Sequence, residues 1–163
     1  MPALDADGAE DRSLLIVYAT ETGNSQDAAD YIARQCRRIA FHCRVASIEQ
    51  TSLVNSYLFY FIEHSLKVPA YQLDLVSERT VIFVVSTTGS GVEPRSMTPL
   101  WNDLLHHLPP DTFEDLSFSV FGLGDTSYEK FCWAAKKLSR RLQSLGASEF
   151  YQRGEGDEQH PLG

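Results

Sequence analysis

Positive charge is scarce in this chain of 163 residues. Fourteen lysines and arginines face 22 aspartates and glutamates, a formal net charge of −8. That deficit disfavours binding to nucleic acid or to an acidic membrane surface. It suits docking to a basic partner, and it equally serves solubility. Cysteine is scarce as well. Cys36, Cys43 and Cys132 make an odd number with no metal-type spacing, which excludes a disulfide scaffold. They read as reduced thiols of a cytosolic protein, with Cys36 on a helix and Cys43 in a short strand, both acting as small hydrophobes. No apolar run reaches the ~20 residues of a membrane span. The polar, acidic start, Met1 to Arg12, is neither a signal peptide nor a mitochondrial presequence and reads as a disordered tail. The Gly-Lys-Ser/Thr ending of a nucleoside-triphosphate loop is missing, and so is the three-glycine dinucleotide pattern.

What is there is ordinary for one globular domain, 43% hydrophobic and 22% charged. Ser13 to Ala19 is apolar almost throughout, as a strand covered on both faces is. Ser25 to Ile39 repeats Ala28, Ala29, Ile32, Ala33 and Cys36 at helical spacing, with Arg34, Arg37 and Arg38 near the negative carboxyl end. His42 to Ile48 reads as a short strand. Asn55 to Val68 is rich in aromatics and fits a helix or a strand. It serves either as a crossover packed on the sheet or as an exposed patch for a partner, and Pro69 stops it. Thr80 to Ser86 is the clearest central strand. Arg95 to Leu108 predicts a helix with Met97, Leu100, Trp101, Leu104 and Leu105 inward, ended by Pro109-Pro110. Leu116 to Phe121 is a strand, Tyr128 to Leu145 a long basic helix capped by Gly146, and Glu149 to Gln152 a final strand. Strands alternating with helices imply an α/β fold with a parallel sheet and right-handed crossovers. Five strands with ligand loops after the first, third and fourth fit the doubly wound order 2-1-3-4-5, whose loops meet over one crevice.

The first of those loops, Thr20-Glu21-Thr22-Gly23-Asn24-Ser25, faces the amino end of a helix. Free amides and the positive end of the helix dipole make a phosphate its natural occupant. No lysine or arginine lies in it, so neutral donors would hold the anion. The second loop runs from Thr87 to Pro94 and the third from Gly122 to Ser127. Gly89, Gly91, Gly122 and Gly124 permit close approach to a flat ligand, and Tyr128 can stack on its ring. A phosphate at one end and a planar ring at the other describe flavin mononucleotide (FMN). A phospho-acceptor receiver shares the strand order but needs clustered acids after the first strand, where this chain has Ala19-Thr20-Glu21.

Thr20–Ser25, Ser86–Gly91 and the run from Phe121 to Phe131 resemble the three flavin-binding loops of flavodoxin-like domains, most closely those of diflavin reductases. Ser86–Gly89, Gly124–Tyr128 and Gly156–His160 resemble the NADPH-dependent diflavin oxidoreductases of cytosolic iron–sulfur protein assembly. The resemblance covers residues 13–163. It implies electron transfer from NADPH through FAD and FMN to an iron–sulfur protein of the anamorsin type, in the cytoplasm, with the FAD/NADPH module in the same polypeptide. It further implies that Thr20, Glu21, Thr22, Gly23, Asn24 and Ser25 hold the phosphate, and that Ser86, Thr87, Thr88 and Gly89 border the flavin. Leu123, Gly124, Asp125, Thr126, Ser127, Tyr128, Glu129, Lys130, Phe131 and Cys132 form the other wall, with Asp157 and Glu158 near the site. Acids such as Glu21, Glu93, Asp125 and Glu158 would lower the flavin potential and steer a basic partner.

The chain departs from the family pattern in three places. Thr88 stands where many diflavin reductases carry an aromatic, and Gly91-Val92 stands where many have Gly-Asp. Residues 52–72 lengthen the link to the third strand, as a genuine insertion or as translated intron. The domain is expected over 13–153, with 154–163 opening a linker, and the helix that usually follows the fifth strand is missing. Without FAD- and NADPH-binding segments the chain is expected to pass electrons but not to oxidise NADPH. Two other readings are a free-standing flavodoxin-like shuttle and a flavin-free interaction module presenting residues 55–68.

Overall fold

The computed structural model describes residues 12–53 and 73–161. The elements in chain order are β1 (Ser13–Ala19), α1 (Asn24–Arg38), β2 (His42–Ser47), β3 (Thr51–Ser52), β4 (Leu73–Asp74) and β5 (Thr80–Ser86). Then come α2 (Thr98–Leu105), β6 (Ser117–Gly124), α3 (Trp133–Ser144), β7 (Ser148–Glu149) and β8 (Gly154–Asp157). The main sheet runs β2-β1-β5-β6-β7, with β8 also on β6, and all its pairings are parallel. This is the expected 2-1-3-4-5 order with the fifth strand in two pieces. Asn55 to Val68, and the choice between a helix and a strand there, lies outside the described residues. On either side of the undescribed stretch, β3 pairs with β4 in a separate two-stranded sheet.

Alternation along β1 divides the core between two faces. Leu15, Val17 and Ala19 point with Phe83 and Val85 towards α2 and α3, meeting Leu100, Leu104, Leu138 and Leu142. Leu14 and Ile16 point the other way, onto Ala29 and Ala33 of α1. Each wholly buried large side chain contributes about 1.5–3 kcal/mol, so the first face dominates stability. On the second face α1 is the one long helix among the described residues, and Ile82, Phe121 and Leu123 are only half-buried.

Five expectations need correction. The helix expected from Arg95 to Leu108 is a 3₁₀ turn, Arg95–Met97, followed by α2, which stops at Leu105 well before the prolines. Met97, Leu100 and Leu104 are buried, but Leu105 lies off that stripe and is 59% exposed. The helix expected from Tyr128 begins at Trp133, because Cys132 takes a left-handed backbone (φ 49°) that breaks the helical path. The strand expected from Glu149 to Gln152 leaves the sheet after Glu149, exposing Phe150 and Tyr151, and pairing resumes at Gly154. Gly154–Asp157 is therefore sheet rather than linker. Glycine permits that second piece: a Cβ at Gly154 or Gly156 would come within 2.7 Å of Phe121 and 2.9 Å of Leu123.

Candidate functional site

The first loop is built on its own hydrogen bonds. Gly23 adopts φ +104°, a left-handed turn that favours glycine. Its amide donates to Thr20 Oγ1 at 2.8 Å, and its carbonyl accepts from the amides of Gln26 and Asp27. No side chain caps α1. Ser25 is wholly buried in the first turn of α1, and its hydroxyl has no partner among the described residues. Leaving a buried hydroxyl unpaired costs about 1–3 kcal/mol. An acceptor beside the free helix amides would remove that penalty, and a phosphate oxygen fits both. Thr22 and Asn24 are exposed beside it.

Glu21 has another task. Its carboxylate accepts a hydrogen bond from the Arg95 amide, while Ser96 Oγ donates to the Thr20 carbonyl at 3.4 Å. Both contacts pin the first loop to the chain beyond the second. Ser86 Oγ adds a third tie, donating to the Ala19 carbonyl at 3.3 Å. Arg95 and Ser96 escape sequence reasoning because one acts through its backbone and the other is an ordinary serine.

The second and third loops are joined through Thr87. Its amide donates to the Leu123 carbonyl at 2.9 Å, and its hydroxyl accepts from the Ala134 amide at 3.2 Å. Thr88 turns inward, its amide and hydroxyl both donating to the Val92 carbonyl at 3.0 Å. Gly89 lies under the Tyr128 ring, where an added Cβ would sit 3.3 Å from a ring carbon. Tyr128 still keeps 52% of its surface exposed, so a flat aromatic ligand has a face to cover. The other glycines also make room for the protein itself. Cβ atoms at Gly91, Gly122 and Gly124 would strike Lys130, Ala135 and Cys132, so each of these glycines admits a neighbouring part of the chain.

The third loop is clasped by the end of β8 and the residues that follow it. Asp157 accepts from the Thr126 amide at 3.0 Å and from its hydroxyl at 2.7 Å. Asp125 accepts from the Ser127 amide at 2.8 Å and from Gln159 Nε2 at 3.1 Å. The Glu158 amide donates to the Gly124 carbonyl. Hydrogen bonds from Thr126 hold the Asp157 carboxyl below the usual carboxylate range, and those from Ser127 do the same for Asp125. Gln159 lies within the Gly156–His160 motif but is not among the expected site residues; its side chain joins the clasp through Asp125.

The remaining predicted residues divide. Glu129 and Lys130 are exposed beside Tyr128, and Phe131 is half-buried, with Lys136 over its ring at 5.4 Å. Cys132 is wholly buried, its Sγ 3.8 Å from the Gly156 carbonyl. Burial foremost, with Glu155 nearby, pushes that thiol up to about 11. Glu93 is paired with Lys137 at 2.8 Å, which removes it from the expected free negative field. Burial works to raise its carboxyl, yet the Lys137 hydrogen bond and charge leave it lowered overall. No helix among the described residues is long and apolar enough to cross a membrane.

Comparison with known proteins agrees with this geometry. The family model described as flavodoxin matches residues 16–162. An NADPH-dependent diflavin oxidoreductase 1 of Mycosarcoma maydis is 44% identical over 155 residues, covering 94% of this chain and 21% of that protein. The Arabidopsis thaliana protein of the same name is 39% identical over 157 residues, covering 96% and 22%. The chain thus spans about a fifth of the length of these curated relatives. Among solved structures, a short-chain flavodoxin associated with a bacterial microcompartment superposes with TM-score 0.68 at 18% identity, covering 89% of this chain and 83% of that one. A Streptococcus pneumonia flavodoxin gives 0.63 at 25% identity, covering 89% and 84%. The chain belongs to the flavodoxin family, and its cofactor is FMN.

Proposed function

We propose that this chain is the FMN module of an NADPH-dependent diflavin reductase, receiving electrons from an FAD/NADPH module and passing them to an iron–sulfur protein of the anamorsin type in the cytoplasm. The single observation that carries the cofactor assignment is the orphaned Ser25 hydroxyl at the open end of α1. The relatives' name and length support the reductase context: they are diflavin oxidoreductases about five times as long as the matched segment. The domain spans residues 13–157, ending with β8 rather than at 153.

FMN, when bound, supplies the one- and two-electron chemistry. The chain's part is binding and orientation. The α1 amides and Ser25 receive the phosphate, with Thr20, Thr22, Gly23 and Asn24 shaping the turn around it. Ser86, Thr87, Thr88 and Gly89 form one edge of the ring slot, and Leu123 to Tyr128 the other, with Tyr128 as the stacking face. Glu21 and Asp157 brace the loops from behind. Asp125, Asp157 and Glu158 keep negative charge near the slot, which opposes charge build-up on a reduced flavin and favours a basic docking partner.

Reconstitution tests both levels. The purified chain mixed with FMN should quench flavin fluorescence and stay yellow after unbound flavin is removed, and riboflavin should bind far more weakly. Joined to, or mixed with, an FAD/NADPH module from a relative, the loaded chain should be reduced by NADPH, and should not be reduced without that module. Colourless protein that leaves FMN fluorescence untouched would end the cofactor assignment. Flavin that binds but is never reduced by the module would leave a free-standing shuttle in its place.

A further inference from the structure

We propose that Cys36 and Cys43 form an oxidisable dithiol, which closes to an intramolecular disulfide by exchange with a low-molecular-weight disulfide. The two are seven residues apart, and the turn at the end of α1 brings them together. The Phe41 amide donates to the Cys36 carbonyl at 3.1 Å, and the Ala40 amide to the Arg37 carbonyl at 3.2 Å. This is a Schellman turn. It reverses the chain through Ala40 and sends β2 back beneath the helix, where both cysteines join the apolar cluster on the α1 face. Arg37 Nη2 fixes the Cys43 carbonyl at 3.0 Å. Cys43 Sγ donates to the Phe41 carbonyl at 3.8 Å, within that same turn, and the Cys36 side chain lies near enough to perturb it; closure brings the two sulfurs to a bond of about 2.05 Å.

Both thiols are half-buried, open to a small reagent at the protein surface. Cys43 is the poorer nucleophile: burial foremost, then the Cys36 neighbour, raise its thiol, and Arg37 only partly opposes them. Its S–H is also engaged with the Phe41 carbonyl at 3.8 Å, which assigns the attacking role to Cys36. Its thiolate displaces one thiol from the oxidant as the oxidant's S–S bond breaks, leaving a mixed disulfide. Cys43 then attacks the Cys36 sulfur and releases the second thiol. Two electrons and two protons pass from the protein to the oxidant, which leaves as two thiols. The pair sits towards the far end of α1 from the phosphate loop, roughly 16 Å along the helix from Ser25 at 1.5 Å per residue. Oxidation should leave the flavin undisturbed.

The FMN-loaded protein is incubated with glutathione disulfide and mapped with trypsin, which cuts between the two cysteines at Arg37 and Arg38. The expected product is a linked pair of peptides, one containing Cys36 and one Cys43, from monomeric protein. Two of the three thiols should be lost, with Cys132 still free and the flavin spectrum unchanged. Dithiothreitol should restore both thiols. Cys36→Ser and, separately, Cys43→Ala should each abolish the linked pair. Stable glutathione adducts at both positions, chain-to-chain linkage, or three thiols retained would overturn the proposal.

Discussion

Asp157 grips Thr126 twice, accepting from the amide at 3.0 Å and from the hydroxyl at 2.7 Å. The grip ties the loop leading to Tyr128 to the last strand of the sheet. Asparagine offers one acceptor oxygen in place of a carboxylate that takes both bonds. Asp157→Asn should therefore loosen the third loop and raise the Kd for FMN about threefold to tenfold, while the fold persists. Its pH dependence follows from the depressed carboxyl. A group whose folded value lies below its unfolded one contributes fully above the unfolded value, and loses that contribution as pH falls through the folded one. FMN retention in the wild-type chain should hold through pH 5 and fail only below about pH 4. Asp157→Asn should flatten that acid limb, leaving the part due to Asp125. A fluorescence titration of FMN release against pH reads both effects.

Gly89 and Tyr128 couple the second loop to the third. An alanine Cβ would press on the Tyr128 ring at 3.3 Å, closer than ordinary contact, so the ring must shift. Gly89→Ala should weaken FMN binding about threefold, and Tyr128→Ala about twofold to tenfold through lost stacking. In the Tyr128→Ala background the glycine substitution should have no further effect, because the ring it displaces is gone. Additive losses in a double-mutant cycle would mean that Gly89 acts on the flavin directly.

Much of this architecture is legible in the residues. Leu14 to Ala19 and Val81 to Val85 are apolar on both faces, so they declare themselves central strands, and the Thr-Gly-Asn turn declares the helix that follows. Alternation with helices then implies a parallel sheet, and glycine-bearing loops after the first, third and fourth strands fit its order. What stays hidden depends on tertiary contact. Nothing in Tyr128–Cys132 punctuates the chain, since cysteine seldom takes a left-handed backbone, so the true start of α3 is invisible. The fifth strand divides at Phe150-Tyr151, residues of high strand propensity, because pairing resumes only where Gly154 and Gly156 can lie against Phe121 and Leu123. Glu21 and Asp157 are readable as acids near a ligand. That they also brace loops depends on Arg95 and Thr126, distant in sequence.

The ends of α1 and α3 make an internal comparison. Both close in Schellman turns. At the left-handed position α3 has Gly146 (φ 95°), whereas α1 has Ala40 (φ 65°). A non-glycine residue there is disfavoured by about 1–2 kcal/mol, and the greater unfolded-state freedom of glycine offsets part of that. Ala40→Gly should stabilise the domain by up to ~1 kcal/mol, seen as a higher urea midpoint at unchanged slope and fixed FMN concentration. Gly146→Ala should do the reverse, and by more, because its Cβ would also crowd the Pro110 carbonyl at 3.0 Å.

Ser25 carries the sharpest test because its two effects have opposite signs. Its hydroxyl is buried without a partner among the described residues. Removing an unsatisfied polar group leaves stability unchanged or improves it, by up to about 1 kcal/mol. A hydroxyl that donates to a phosphate, by contrast, is missed when the ligand binds, and a hydrogen bond to a charged group is worth about 1.5–3 kcal/mol. Ser25→Ala should therefore equal or exceed the wild type in urea midpoint without flavin, yet raise the Kd for FMN at least tenfold. Riboflavin, which has no phosphate, should bind both proteins alike. Were the substitution to weaken riboflavin as much as FMN, the hydroxyl would be supporting the ring slot and the phosphate would lie elsewhere. Were it to destabilise the flavin-free chain, the serine would be a packing residue and its missing partner no sign of a ligand.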